Sequence, residues 1–187
     1  MCNDDPQTEK LEYKSAFNSE RLCIFDIQTG QDKSIAFMNG IGMRMIWSSA
    51  HDYLAFCHLD DEIGKYLLMI YDAINDELYT IDEIIPMATW NFDWSPNGEI
   101  IVYTKPLRYD VYVNEEQPLE ADIFISNYDG SENKRLTHTM DPEVRVKCLH
   151  DSRVIVTEII RNVDKIDYHV EYMNIILKAD GSKWLKK

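Results

Sequence analysis

At 187 residues the chain is long enough for a substantial core and suits one domain. A formal charge of −14, from 33 acidic against 19 basic residues, repels phosphate backbones and argues against a nucleic-acid partner. No apolar run approaches the roughly 18 residues that a membrane-spanning helix needs, and the N-terminus lacks the basic and apolar segments of a signal peptide.

Residues 1–11 read as a flexible acidic leader, CNDDPQTEK following Met1. Glu12 to Asn18 is a weak strand, and Leu22 to Asp26 (LCIFD) a strong one. Ile27-Gln28-Thr29-Gly30 turns the chain into a further strand from Lys33 to Phe37. Trp47 to Phe56 (WSSAHDYLAF) then reads as a strand end, a polar turn and an apolar strand. Leu68 to Asp72 (LMIYD) repeats LCIFD and sets Asp72 on Asp26, and Glu77 to Ile81 follows as another strand. From Trp94 the sequence runs WSPNGEIIVYTKP, where Pro-Asn-Gly marks a tight turn. After a charged and aromatic excursion comes ADIFISNYDGSENKRLT, two strands joined at Asp129-Gly130. The last strands are predicted from Val144, over Val154 to Ile160 and over Tyr172 to Leu177, with a turn at Asp180-Gly181.

Trp47 to Phe56, Trp94 to Tyr103 and Cys148 to Thr157 superpose without a gap, 47 and then 54 residues apart. Four-stranded propeller blades repeat at roughly 40 to 50 residues, and one long insertion accounts for the larger spacing. The predicted fold is therefore an all-β propeller of about four blades. They span residues 12–39, 43–83, 90–137 and 144–187, the first without its innermost strand.

Trp94-Ser95-Pro96-Asn97-Gly98 before an apolar strand, Asp122-Ile123-Phe124-Ile125 leading to Asn127-Tyr128-Asp129-Gly130, and Arg135-Leu136-Thr137 together resemble the repeat of TolB-type propellers. The resemblance covers most of the chain. It implies a propeller that usually has six blades, protein partners and a place in the bacterial envelope. The same repeat also occurs in propellers of serine peptidases and of sugar-acting lyases, so it is far less specific for function than for fold.

In an antiparallel blade the connections between second and third strands, and from blade to blade, leave one face; the other two turns leave the opposite face. The first face carries the long loops: Leu59 to Lys65, Lys105 to Ala121 and Arg161 to Glu171, with the crossings near Gly40-Ile41-Gly42, Ile84 to Thr89 and Met140 to Glu143. A partner is expected there. Arg44, Asn91 and Arg145 hold one equivalent repeat position near the mouth of a central channel. With Trp90 and the loop tyrosines Tyr109 and Tyr112 they are the candidate binding residues, against the plainer reading of polar groups that satisfy loop backbone.

No catalytic set emerges. A G-x-S-x-G elbow is missing, Gly40-Ile41-Gly42 lacks the rest of a dinucleotide fingerprint, and His58, His138 and His169 on the long-loop face have no metal-ligand spacing. His51 and His150 belong to turns on the opposite face. The acidic clusters Asp60-Asp61-Glu62 and Glu115-Glu116 do not have the spacing of an EF-hand and read as solvated surface. No cofactor and no metal is expected. Trp47 and Trp94 read as core between blades, and Cys23, Cys57 and Cys148 as buried free thiols. Cys2 resembles the lipidated first cysteine of an exported bacterial lipoprotein, with Met1 as an expression start.

These readings converge on a non-catalytic binding module of the cell envelope or periplasm, lipid-anchored through Cys2, with a protein or peptide partner. A cytoplasmic location stays open. The alternative is a carbohydrate-binding or lyase-like propeller that depends on metal. Four blades leave apolar faces at both ends of the row, so the chain is expected to pair with another copy or to be part of a longer propeller, through Phe25 and Ile35 at one end and Val156 and Ile176 at the other. The other outcome is a four-bladed ring that closes alone.

Overall fold

A computed structural model describes residues 20–38, 44–60, 65–84, 92–108, 120–138, 143–148, 154–162 and 170–178. Every regular element among them is a strand. The strands are β1 (Glu20–Phe25), β2 (Asp32–Met38), β3 (Met45–Trp47), β4 (Tyr53–Asp60), β5 (Lys65–Asp72), β6 (Glu77–Ile84), β7 (Phe92–Trp94), β8 (Ile100–Arg108), β9 (Glu120–Asn127), β10 (Lys134–Arg135), β11 (Glu143–Cys148), β12 (Val154–Asn162) and β13 (Val170–Lys178). They form four antiparallel sheets in the orders β1-β2, β3-β4-β5-β6, β7-β8-β9-β10 and β11-β12-β13. Each sheet is a simple meander, because consecutive strands joined by short turns pair most readily. The predicted strand at Glu12 to Asn18, the leader and the turn at Asp180-Gly181 lie outside the described residues.

The sheets stack face to face, and the period of two along each strand shows how. On β4, Leu54 and Phe56 pack with Met69 and Tyr71 of β5 against Leu22, Ile24, Ile35 and Ala36 of the first sheet. The alternate residues Ala55 and Cys57 pack with Leu68 and Ile70 against Phe92, Trp94, Ile101 and Tyr103 of the third sheet. On β8 the sides divide again, since Val102 joins Ile123, Leu136 and Val146, the last from the fourth sheet. A strand covered on both faces needs apolar residues at every position, which is why LAFC (Leu54 to Cys57) is continuous and wholly buried.

The repeat is also a repeat of hydrogen bonds. The amide of Ser48 donates to the carbonyl of Tyr53 at 2.8 Å, and 47 residues on that of Ser95 donates to the carbonyl of Ile100 at 2.8 Å. Gly30, Asp76 and Gly130 occupy the same place in successive turns, with φ of 72°, 61° and 82°. Glycine enters this region without a steric penalty, whereas Asp76 is held there by its own contacts.

Three expectations fail here. Trp94 is 5% exposed, but Trp47, its counterpart in the previous sheet, is 47% exposed. The cause is the neighbour: β1 and β2 cover β4 and β5, and no described strand lies over β3. Ile35 packs toward β4 and β5 and so does not belong to an open outer face. Cys57 is buried and Cys148 half-buried, and neither is in a disulfide. Cys23, by contrast, is half-buried on a two-stranded sheet and disulfide-bonded.

Candidate functional site

The course of the strands fixes two ends of the stack. The turns β3–β4, β5–β6, β7–β8 and β9–β10 gather at one end, and the connections β4–β5, β8–β9 and β12–β13 leave the other. The turn end is closed by packing. A Cβ on Gly98 would come within 2.7 Å of His51 Cδ2 and 3.1 Å of Ala50 Cβ, so the β7–β8 turn rests on the β3–β4 turn. One on Gly130 would meet the carbonyl of Thr80 at 2.9 Å. Beneath these turns Tyr53 stacks on Tyr128 with ring centroids 4.5 Å apart, and Tyr79 meets Tyr128 edge-on at 5.8 Å. Burial, aided by the Tyr128 hydroxyl, pushes the Tyr53 phenol up to about 12. These rings seal a junction.

At the opposite end Arg44 stands just before β3, exposed, with its guanidinium 5.6 Å from the centroid of Phe92, the first residue of β7. The same cation opposes the effect of burial on Cys57, which nonetheless pushes that thiol up to about 12. Arg44 therefore reaches from one blade to the next at the start of β3 and β7. Arg145 lies on β11, paired in register with Glu158 of β12. Trp90, Asn91, Tyr109, Tyr112 and Cys2 lie outside the described residues, so of the candidate set only Arg44 has a described side chain.

A polar cluster between the second and third blades has no counterpart in the sequence reading. Asp82 of β6 accepts from the Tyr103 hydroxyl at 2.7 Å and from Lys105 Nζ at 2.6 Å, both on β8. Asn133 donates to the Tyr103 oxygen at 2.8 Å and to the carbonyl of Ile81 at 3.2 Å. Burial first, then the charge of Asp82 and its hydrogen bond, hold the Tyr103 phenol far above its ordinary range, so it stays a donor. Lys105 is half-buried and also lies 5.6 Å from the Phe124 centroid. This cluster fastens the second blade to the third. Its only sequence signal is a lysine within an otherwise apolar strand run, IIVYTKP.

Asp93 on β7 accepts from the amide of Cys148 at 2.9 Å and ties the third blade to the fourth in the same manner. Among the described residues no three His, Cys, Asp or Glu side chains gather as metal ligands. No helix among them is long and apolar enough to cross a membrane.

Four-stranded antiparallel sheets stacked through their faces define a β-propeller architecture. No family model matches the chain, and no curated protein matches its sequence. Solved structures do share its fold. TolB from Acinetobacter baumannii superposes with a TM-score of 0.53 at 12% identity, over 87% of this chain and 36% of that one. The tricorn protease gives 0.55 at 14% identity, over 84% and 15% respectively. The acylaminoacyl peptidase of Pyrococcus horikoshii gives 0.57 at 12%, over 89% and 27%. Identities this low carry the fold alone, and the chain spans little more than a third of TolB and less of the two peptidases.

Proposed function

We propose that the chain is a non-catalytic propeller module of the bacterial cell envelope that presents its long-connection face to a protein or peptide. The observation that carries this reading is the asymmetry of the two ends. One is sealed by turns packed on turns, with glycines where a side chain would collide. At the other, β4, β8 and β12 finish and β5, β9 and β13 begin, beside an exposed arginine and an interblade ion pair. Loops on a rigid scaffold are where recognition concentrates. Arg44, Trp90, Asn91, Tyr109, Tyr112 and Arg145 are the residues assigned to that recognition. The similarity to TolB supports envelope residence. No observation favours the carbohydrate reading.

The test compares face-specific variants of the immobilised chain in capture from an envelope extract. Arg44→Glu and the pair Tyr109→Ala, Tyr112→Ala are expected to lose a captured protein that Ser49→Lys, on the turn end, retains. Equal capture by all variants overturns the assignment of the face. Tight, metal-dependent binding of an oligouronide in calorimetry overturns the protein-binding reading itself.

A further inference from the structure

The first sheet has less core than the sheets that follow. Among the described residues it has two strands, and a two-stranded hairpin is marginal in water unless something besides its own ladder secures it. None of residues 21–36 is buried, whereas the β4 and β5 residues against which this sheet packs, Leu54, Phe56, Met69 and Tyr71, belong to the core. The packing of Leu22, Ile24, Ile35 and Ala36 is joined by an ion pair between Lys33 and Asp76. Both of its members are at least half exposed, so solvent screens the attraction.

Cys23 supplies a different kind of hold. It lies at the bulge where the β1–β2 register shifts, between Leu22 and Ile24, and period two therefore sets it with Phe25 on the side of β1 away from the second blade. It is half-buried and disulfide-bonded. The cysteines described in the other sheets are in no disulfide: Cys57 lies on β4 and Cys148 ends β11. Burial pushes the Cys57 thiol up to about 12, which leaves almost no thiolate at neutral pH and makes it inert to exchange. Oxidation thus falls on the sheet with the least burial, and small units that cannot build a sufficient core are the ones that rely on disulfides.

We propose that the Cys23 disulfide is a redox-sensitive staple of the first blade, whose reduction loosens β1 and β2 while the following blades stay folded. In its formation Cys23 and a second thiol of the chain lose two protons and two electrons to a disulfide oxidant such as glutathione disulfide, which leaves as two thiols. A dithiol reductant reverses the step and ends as its own cyclic disulfide. Loosening the first blade uncovers the face of Leu54, Phe56, Met69 and Tyr71, an apolar surface suited to association. Structural disulfides persist in oxidising compartments, so the proposal agrees with residence in the envelope but rests neither on it nor on a partner.

Thiol labelling and hydrogen exchange on the full 187-residue chain, equilibrated with glutathione disulfide, test the proposal. In denaturant without reductant, N-ethylmaleimide is expected to label Cys57 and Cys148 but not Cys23, which becomes labelled after dithiothreitol. Labelling of Cys23 before reduction overturns the proposal. So does a covalent dimer in the absence of reductant, since the bond would then join two copies. In native buffer, reduction is expected to speed exchange of the β1 and β2 amides about tenfold or more and to leave those of β5 and β9 unchanged. Cys23→Ser is expected to show the fast exchange with and without dithiothreitol. Exchange of β1 and β2 that ignores reductant in the parent chain overturns the staple, and equal acceleration of all the strands overturns its confinement to the first blade.

Discussion

Single residues at the turns decide whether the blades keep their shape. Asp72 is buried at the end of β5, where its Oδ1 accepts from the amides of Ile74 and Asn75 at 2.9 and 3.0 Å and its Oδ2 from the Asn75 side chain at 2.8 Å. Burial pushes its pKa up, but the hydrogen bonds from Asn75 and Ile74 outweigh it and leave the carboxyl below its ordinary 3.8. A depressed folded pKa means that this contribution to stability is present above the unfolded value, near 3.8, and is lost as pH falls through the lower folded value. Asp26 and Asp129, hydrogen-bonded in comparable turns, shift in the same direction. Asp72→Ala is therefore expected to cost about 1 kcal/mol at pH 7, the usual scale for losing a side-chain cap on backbone amides. Denaturant titrations from pH 7 down to pH 2 should show a shallower acid-side loss of stability in the variant than in the parent. A parallel loss in both would mean that the carboxylate is not what these bonds hold. The turn at Asp76 is a different solution to the same backbone demand, because a left-handed residue that is not glycine is tied by an ion pair to Lys33 and accepts from the Tyr71 hydroxyl at 3.0 Å.

Strands and turns stack in register, and a change at a turn is felt in the neighbouring blade. Gly98 combines a φ of 72° with a position against Ser48, Ala50 and His51 of the preceding blade. Gly98→Ala meets both obstacles, so about 2 kcal/mol of destabilisation is expected in thermal or chemical unfolding. Gly30→Ala, at the same φ with open space around it, carries only the backbone cost and should be milder. Equal losses for the two would remove the argument that these turns touch. Much of this was legible in the sequence: the gapless superposition at Trp47 and Trp94 locates the β3–β4 and β7–β8 turns. Burial was not legible, because Trp47 and Trp94 have the same local pattern and differ only in whether an inner strand lies across from them. Trp94 has one, and its indole N–H donates to the carbonyl of Ile46 at 3.0 Å. The Asp82, Tyr103, Lys105 and Asn133 cluster was hidden for a related reason, since its members come from β6, β8 and the turn before β10 and nothing in their spacing marks an encounter across a blade junction. Of the candidate site, the position of Arg44 at the head of an inner strand followed from the repeat, but its stacking on Phe92 depended on the pairing of blades.

At the scale of the molecule the four sheets form a row with two outer faces, and what covers those faces sets the assembly. Phe25 is 60% exposed at the first end. At the other, Val146 and Cys148 pack toward the third sheet, while the register aligns Val156 and Ile176 with the exposed Lys147 on the opposite side of β11 to β13. We propose that these two faces meet in self-association, which Ile35 does not enter because it is engaged by the second blade. Opposing this association is the net charge of −14, and exposed charges are screened over about 10 Å at 0.1 M salt. Light scattering on the 187-residue chain is therefore expected to show oligomers whose fraction rises with protein concentration and with salt. Phe25→Asp should shift the population toward monomer at every salt concentration without lowering the melting temperature, because a side chain this exposed contributes little to the blade itself. A strictly monomeric parent chain at all concentrations would show that neither face seeks a copy, and an association that weakens with salt would place charged surfaces at the contact in place of these apolar ones.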